Sequence, residues 1–322
     1  MIGIDGPQGP RYHCKATSCQ KGPRHITQAL PFQRQSNRLR GIAYMAGGMF
    51  LFSAVDTQAK FLTDSLHPIQ IAWSRQLGLC LGVLILLAIR GRGMLITKHP
   101  VLQIGRGALA AGSATIFIVA ITYVPLADAV AISFVAPFMV TVLGAVLLGE
   151  RVGIRRWVAI TIGFLATLII IRPGAGVLHP AAGLVLIAAF LFACRQILSR
   201  KLSTSEPTLT TIAYTALTAS FVLTVPLYWV WTPPSWGREV WILLGLTLLA
   251  GLAEVMVIRA LELAETVVLA PIHYSLIIWG TFYGWLVFDQ LPDGWTWLGA
   301  TIIVATGIYT LHRERLAVQS QH

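Results

Sequence analysis

The sequence predicts an all-α integral membrane protein with ten transmembrane helices, arranged as two inverted five-helix repeats. Three observations carry that prediction: too few charges to clothe a globular surface, apolar runs of bilayer length, and an internal repeat with an odd number of helices. Residues are 56% hydrophobic and 11% charged, whereas soluble domains carry roughly 25% charged residues. The apolar runs approach the length of one hydrocarbon crossing, about 20 residues. Lipid is therefore the solvent for most of the chain.

In order along the chain, helices are expected at 41–63, 68–90, 101–123, 126–148, 154–172, 180–201, 208–230, 239–260, 265–288 and 294–312. Short connections rich in Pro, Gly, Asp and Ser separate them, such as Arg172-Pro173-Gly174-Ala175-Gly176 and Leu291-Pro292-Asp293-Gly294. Residues 1–40 are polar, basic and without the apolar core of a secretion signal, so a disordered tail is expected there. The repeats then occupy 41–173 and 180–313, with a cytoplasmic tail over 314–322.

The net charge of +11 does not point to nucleic acid, because the basic residues sit in short clusters between apolar runs. With a cytoplasmic N-terminus, the inner loops hold Arg34, Arg38 and Arg40, Arg90, Arg92 and Lys98, Arg151, Arg155 and Arg156, Arg200 and Lys201, and finally Arg313 and Arg315. The outer loops hold only Arg172 and Arg238. An even number of spans puts both termini in the cytoplasm of a cell with an inner membrane. Trp229, Trp231, Trp236, Trp241, Trp295 and Trp297 stand at helix ends, where an indole can keep its N–H wet at headgroup depth.

The two halves match at a shift of 140 residues. Phe50-Leu51-Phe52-Ser53-Ala54 lies against Phe190-Leu191-Phe192-Ala193-Cys194, Gly144 against Gly284, and Trp157 against Trp297. Five helices are an odd number, so the second copy enters from the opposite side. Inverted repeats are the common construction of secondary transporters, with the solute site near mid-membrane between the halves.

Charged residues inside spans are retained where they face a cavity or a partner. Asp56 and Lys60 are four apart on the first helix and able to pair, with Arg75 at similar depth on the second and Asp128 starting the fourth. Arg195 and Glu254 form a second group in the inner half, so one cluster is expected toward each side. Lys60, Arg200 and Arg259 could equally snorkel to headgroups. Arg106 and Glu150 are expected at the cytoplasmic edge, as orientation or loop-pairing residues. His273 suits either proton relay or packing. Pro137, Pro226 and Pro271 remove helical hydrogen bonds, giving either exposed carbonyls or passive kinks.

Cys80 and Cys194 read as packing residues, and Cys14 and Cys19 with His13 and His25 fit no zinc spacing, so no metal or cofactor is expected. No P-loop, nucleophile elbow or His-Glu-x-x-His motif occurs in the sequence. A carrier driven by a solute or ion gradient is expected, ahead of a membrane-embedded enzyme or channel. Its partners are a small-molecule solute and the lipid bilayer, with a homodimer left open.

Several strings resemble the EamA-type drug/metabolite transporters. They are Ala127-Asp128-Ala129-Val130-Ala131-Ile132-Ser133-Phe134-Val135-Ala136-Pro137 with Leu147-Leu148-Gly149-Glu150-Arg151, and Ala270-Pro271-Ile272-His273-Tyr274 with Val287-Phe288-Asp289-Gln290-Leu291-Pro292 and Gly299. The arrangement of Asp56, Lys60 and Arg75 is also similar, and the resemblance spans about residues 40–315. It implies ten helices, two EamA repeats and solute transport, without naming a solute. Gln290 stands where an acidic residue is often found, so no coupling role is carried over to it. Expected solute contacts are Asp56, Arg75, His273 and Tyr274, with Trp73 and Trp279 as aromatic walls and Lys60, Arg195 and Glu254 lining or gating. Within that family, uptake of a planar cofactor such as riboflavin fits first, then S-adenosylmethionine uptake or export of amino-acid-like metabolites.

Overall fold

The computed structural model describes residues 31–149, 153–171, 180–203, 205–264, 269 and 272–319. Residues 1–30 lie outside that set, and the first helix begins earlier than expected: α1 runs Pro31–Leu62. Then come α2 (Pro68–Arg90), a 3-10 turn at Arg92–Leu95, α3 (Pro100–Tyr123), α4 (Leu126–Ser133), α5 (Ala136–Leu147) and α6 (Ile154–Ile171). The second half holds α7 (Ala182–Ser203), α8 (Thr208–Val230), α9 (Arg238–Leu263), α10 (Ser275–Phe288) and α11 (Gly294–Gln319). Proline opens α2 and α3, where its missing N–H would be unpaired anyway.

Among the described residues, six stretches are long and apolar enough to cross a membrane: Pro68–Ile89, Pro100–Tyr123, Leu126–Leu147, Ala182–Ser203, Thr208–Val230 and Arg238–Leu263. Trp157–Ile171 and Ser275–Phe288 are shorter apolar helices. Helix α1 is not in either set, and its second half carries Ser53, Asp56, Thr57, Gln58 and Lys60. The six tryptophans expected at headgroup depth are all exposed.

The expected fourth span is two helices. Pro137 has no N–H to give, and the Phe134 and Val135 N–H groups reach only three residues back, to Ala131 at 3.3 Å and Ile132 at 3.1 Å. The ninth span repeats the pattern, with a turn at Tyr274 ahead of α10. Pro271 lies outside the described residues, while Pro226 sits within an uninterrupted α8.

Helix packing is preserved when the halves are exchanged. Helix α1 packs on α9 as α7 packs on α3, α2 on α9 as α8 on α3, and α1 on α10 as α7 on α5. Helices α2 and α8 pack on each other, as do α6 and α11, each against its own counterpart. The order α1, α9, α2, α8, α3, α7 thus forms an arc of six helices in which every neighbour comes from the other half, and α4 touches both ends.

Direction follows from the contacts. Gln70, at the start of α2, bonds Thr232 just past the end of α8, whereas Leu95 beyond α2 accepts from the Tyr214 hydroxyl near the start of α8. These repeat-equivalent helices run antiparallel. Small residues let the backbones approach, as in membrane helix pairs generally. Where α2 meets α9, a side chain at Gly78 would run into the Thr247 carbonyl, and a Cβ added at Gly251 would lie only 3.3 Å from the Gly78 carbonyl.

Candidate functional site

The arc buries charge that its own helices supply. Arg75 Nη1 reaches Asp56 Oδ1 at 2.7 Å, joining α2 to α1, with only 20% and 8% of the two side chains exposed. The same guanidinium lies 5.7 Å from the centre of the Phe52 ring. The expected pairing of Asp56 with Lys60 is not made. A four-residue spacing permits it, but Arg75 takes the carboxylate from the next helix. Lys60 turns toward the helix end, donates to the Val124 carbonyl at 2.8 Å and sits 5.4 Å over the Phe288 ring. There it lies in the fields of Asp128 and Asp64 and borders a cleft of ≈ 380 Å³ with Thr63, Tyr123 and Gln290.

Arg195 on α7 lies 4.7 Å over the Phe192 ring. Its guanidinium feels the attraction of Glu254 and the repulsion of Arg75. The two charged groups expected toward opposite sides therefore sense each other's charge. Among the described residues neither Arg195 nor Glu254 enters an ion pair within 4.0 Å; the pairs are Arg75–Asp56 and the exposed Arg259–Glu262.

Arg106 belongs to this group, not to an edge of the protein. From α3 its Nε donates to Ser199 Oγ at 2.7 Å, and Nη1 donates to the Thr215 hydroxyl and to the Thr211 carbonyl at 3.4 Å. It feels the charges of Arg195 and Glu254. The repeat carried a signal for it. Thr215 lies 140 residues beyond Arg75, so the second copy has a hydroxyl where the first has a guanidinium, and Arg106 fills the difference.

The aromatic residues divide into two kinds. Trp73 is committed to the α2–α8 junction, donating from Nε1 to Thr224 Oγ1 at 2.9 Å and meeting Trp231 edge-on at 6.3 Å. Tyr274 stacks on Phe134 at 4.9 Å and is 8% exposed. His273 is exposed and edge-on to Phe134 at 6.0 Å. Trp279 meets Phe50 edge-on at 5.1 Å, and its indole Nε1 is buried without a hydrogen-bond partner. Arg195 Nε, Ser53 Oγ, Gln58 Oε1, Ser220 Oγ and Ser275 Oγ are in the same condition. Most buried polar atoms find partners, so each of these orphans marks a place that water or a polar solute can satisfy.

A bundle that buries charge between two pseudo-equivalent halves has the architecture of a solute carrier. The EamA-like transporter family matches residues 39–172 and 179–311, and the chain belongs to that family. It is a membrane transporter with two EamA repeats, not an enzyme. It is 25% identical to an S-adenosylmethionine uptake transporter of Rickettsia prowazekii (strain Madrid E), over 88% of this chain and 96% of that protein. A riboflavin transporter of Vibrio cholerae is 32% identical over 56% of this chain and 61% of its own length. A pseudopaline exporter of Pseudomonas aeruginosa (strain UCBPP-PA14) is 26% identical over 83% of this chain and 94% of its own. One solved crystal structure, 18% identical, superposes with a TM-score of 0.58 over 88% of this chain and 99% of its own, which bears on the fold alone.

Proposed function

We propose that the chain is a secondary transporter of the inner membrane whose ten helices form two oppositely inserted bundles, with both termini cytoplasmic. The observation that carries this reading is the arc in which neighbours alternate between halves, with Asp56 buried and Arg75, Arg106, Arg195 and Glu254 half-buried in it. A site built from both halves changes its access when one half rocks against the other, which is alternating access in physical terms. The antiparallel run of α2 and α8 supports the inversion, and the short α6 and α10 supply spans that tilt or thin the bilayer accommodates.

The solute in this reading is a planar, cofactor-sized metabolite taken up from outside, gripped by Arg195, Glu254 and the Asp56–Arg75 pair beside the Trp279 indole. Riboflavin and S-adenosylmethionine are the two candidates. Arg195 and Glu254 stand outside ion pairs and offer one charge of each sign, which favours the amino-acid-bearing S-adenosylmethionine over the uncharged riboflavin ring. The test is purified protein in liposomes with each labelled compound. Saturable uptake with counterflow by internal unlabelled solute is the expected result. Flux through a pore that never saturates, or chemical change of the solute without flux, overturns the carrier reading.

A further inference from the structure

Resting on that carrier reading, we infer that the transported solute bears a single carboxylate, and that Arg195 is the residue that grips it as the missing counter-charge of the arc. Three guanidinium groups, Arg75, Arg106 and Arg195, face two carboxylates, Asp56 and Glu254. Two of the three guanidiniums are already engaged. Arg75 holds Asp56 at 2.7 Å, and Arg106 is spread over Ser199, Thr211 and Thr215.

Arg195 is left. Its Nε is buried with no hydrogen-bond partner, and one face is covered by the Phe192 ring at 4.7 Å. A guanidinium held against an aromatic ring loses freedom before solute arrives, and its planar fork suits a two-oxygen acceptor. The other cations nearby are balanced elsewhere: Lys60 donates to a carbonyl near Asp128, and Arg259 pairs with Glu262 at 3.0 Å.

A buried charge without a partner is costly, and a resident structural carboxylate would have removed that cost permanently. An arriving carboxylate removes it only while solute is bound, which makes occupancy and closure of the site favour each other. One carboxylate supplies the counter-charge at Arg195. A phosphate, near two charges, would overfill it.

The experiment uses the full chain in detergent and measures ligand-induced thermal stabilisation with two probe pairs: S-adenosylmethionine against its carboxyl methyl ester, and methionine against methioninamide. A charge-assisted bidentate contact predicts that at least one acid binds about tenfold or more tightly than its partner without the carboxylate. Arg195→Lys keeps part of that preference and Arg195→Gln removes it, with the acid and its carboxylate-free partner then binding alike. Equal binding of both members in each pair by the unaltered protein overturns the inference without any variant having to fold. So does an Arg195→Gln protein that still prefers the acid, and so does absence of binding by either acid. Flux in liposomes is scored separately: a carrier that moves riboflavin but prefers no acid refutes this inference and leaves the transport reading standing.

Discussion

Phe134 and Tyr274 occupy equivalent positions of the two repeats and stack with ring centroids 4.9 Å apart and planes inclined by 29°. Phe134 is the C-cap of α4, and Tyr274 is the N-cap of α10. The points at which two spans lose helical continuity therefore meet face to face. Behind this contact, the Tyr274 hydroxyl fills the space in which a side chain at Gly307 would begin.

Gly307→Ala accordingly pushes the phenol off Phe134. The expected loss is about 1–3 kcal/mol of stability, the usual range for overpacking. Because the phenol oxygen is the atom in the way, adding Tyr274→Phe recovers part of it. Thermal unfolding of the two proteins in detergent is the measurement, and equal melting temperatures for wild type and Gly307→Ala would refute the account.

Asp56→Asn strips Arg75 of its counter-charge in a site where neither group can turn to water. Removing one partner of such a buried pair costs about 3–5 kcal/mol. The double variant Asp56→Asn/Arg75→Gln is expected to be more stable than Asp56→Asn alone, since no lone charge remains. Strictly additive losses in a double-mutant cycle would mean the two side chains do not depend on each other.

Gln70 is fully buried and exchanges two hydrogen bonds with the Thr232 backbone, donating to its carbonyl at 2.8 Å and accepting from its N–H at 3.0 Å. Gln70→Leu keeps the bulk and leaves both backbone groups unpaired, at a cost of about 1–3 kcal/mol. The α2–α8 junction opens more often, so a cysteine at Thr232 reacts faster with a water-soluble maleimide. An unchanged labelling rate counts against a latch at this junction.

Glu254→Gln is expected to insert normally and to lose gradient-driven flux, with counterflow either lost as well or retained without coupling. Size-exclusion profiles and liposome uptake give the two readouts. Wild-type gradient-driven uptake by this variant removes Glu254 from the mechanism.

Glu206 links the α7–α8 turn to the segment before α3, accepting the Lys98 N–H at 2.7 Å. Desolvation pulls its carboxyl up, but bonds from the Lys98 and His99 N–H groups and the Thr97 hydroxyl, with the His99 charge, outweigh it and hold the pKa below the usual value. A depressed folded-state pKa stabilises above the unfolded value, about 4.3, and that stabilisation is lost as pH falls through the folded pKa. The difference in melting temperature between wild type and Glu206→Gln should therefore be full at neutral pH and shrink on acidification. A difference independent of pH would show that the carboxylate charge plays no part.

Much of the fold was legible because bilayer length and apolarity are properties of single segments. The partners of the charges are not. Asp56 has Lys60 one turn away in sequence, yet the tertiary structure brings Arg75 closer, and only the fold decides between them. Arg106 looked like an edge residue because its hydroxyl partners Ser199 and Thr215 lie about a hundred residues further on. The sequence reads 126–148 as one helix and leaves Pro137 open between a break and a kink; the fold breaks the span there, whereas Pro226 leaves α8 intact because one missing bond can be absorbed within a continuous helix.

The alternation of halves around the arc bears on how the nascent chain matures. When α1, α2 and α3 have left the ribosome, the groups that Gln70 and Arg106 bond to have not yet been synthesised. Assembly of the early helices is thus postponed until α7 and α8 arrive in lipid. A chain truncated near residue 172 should be recognised by membrane quality-control proteases, even though every helix in it is complete.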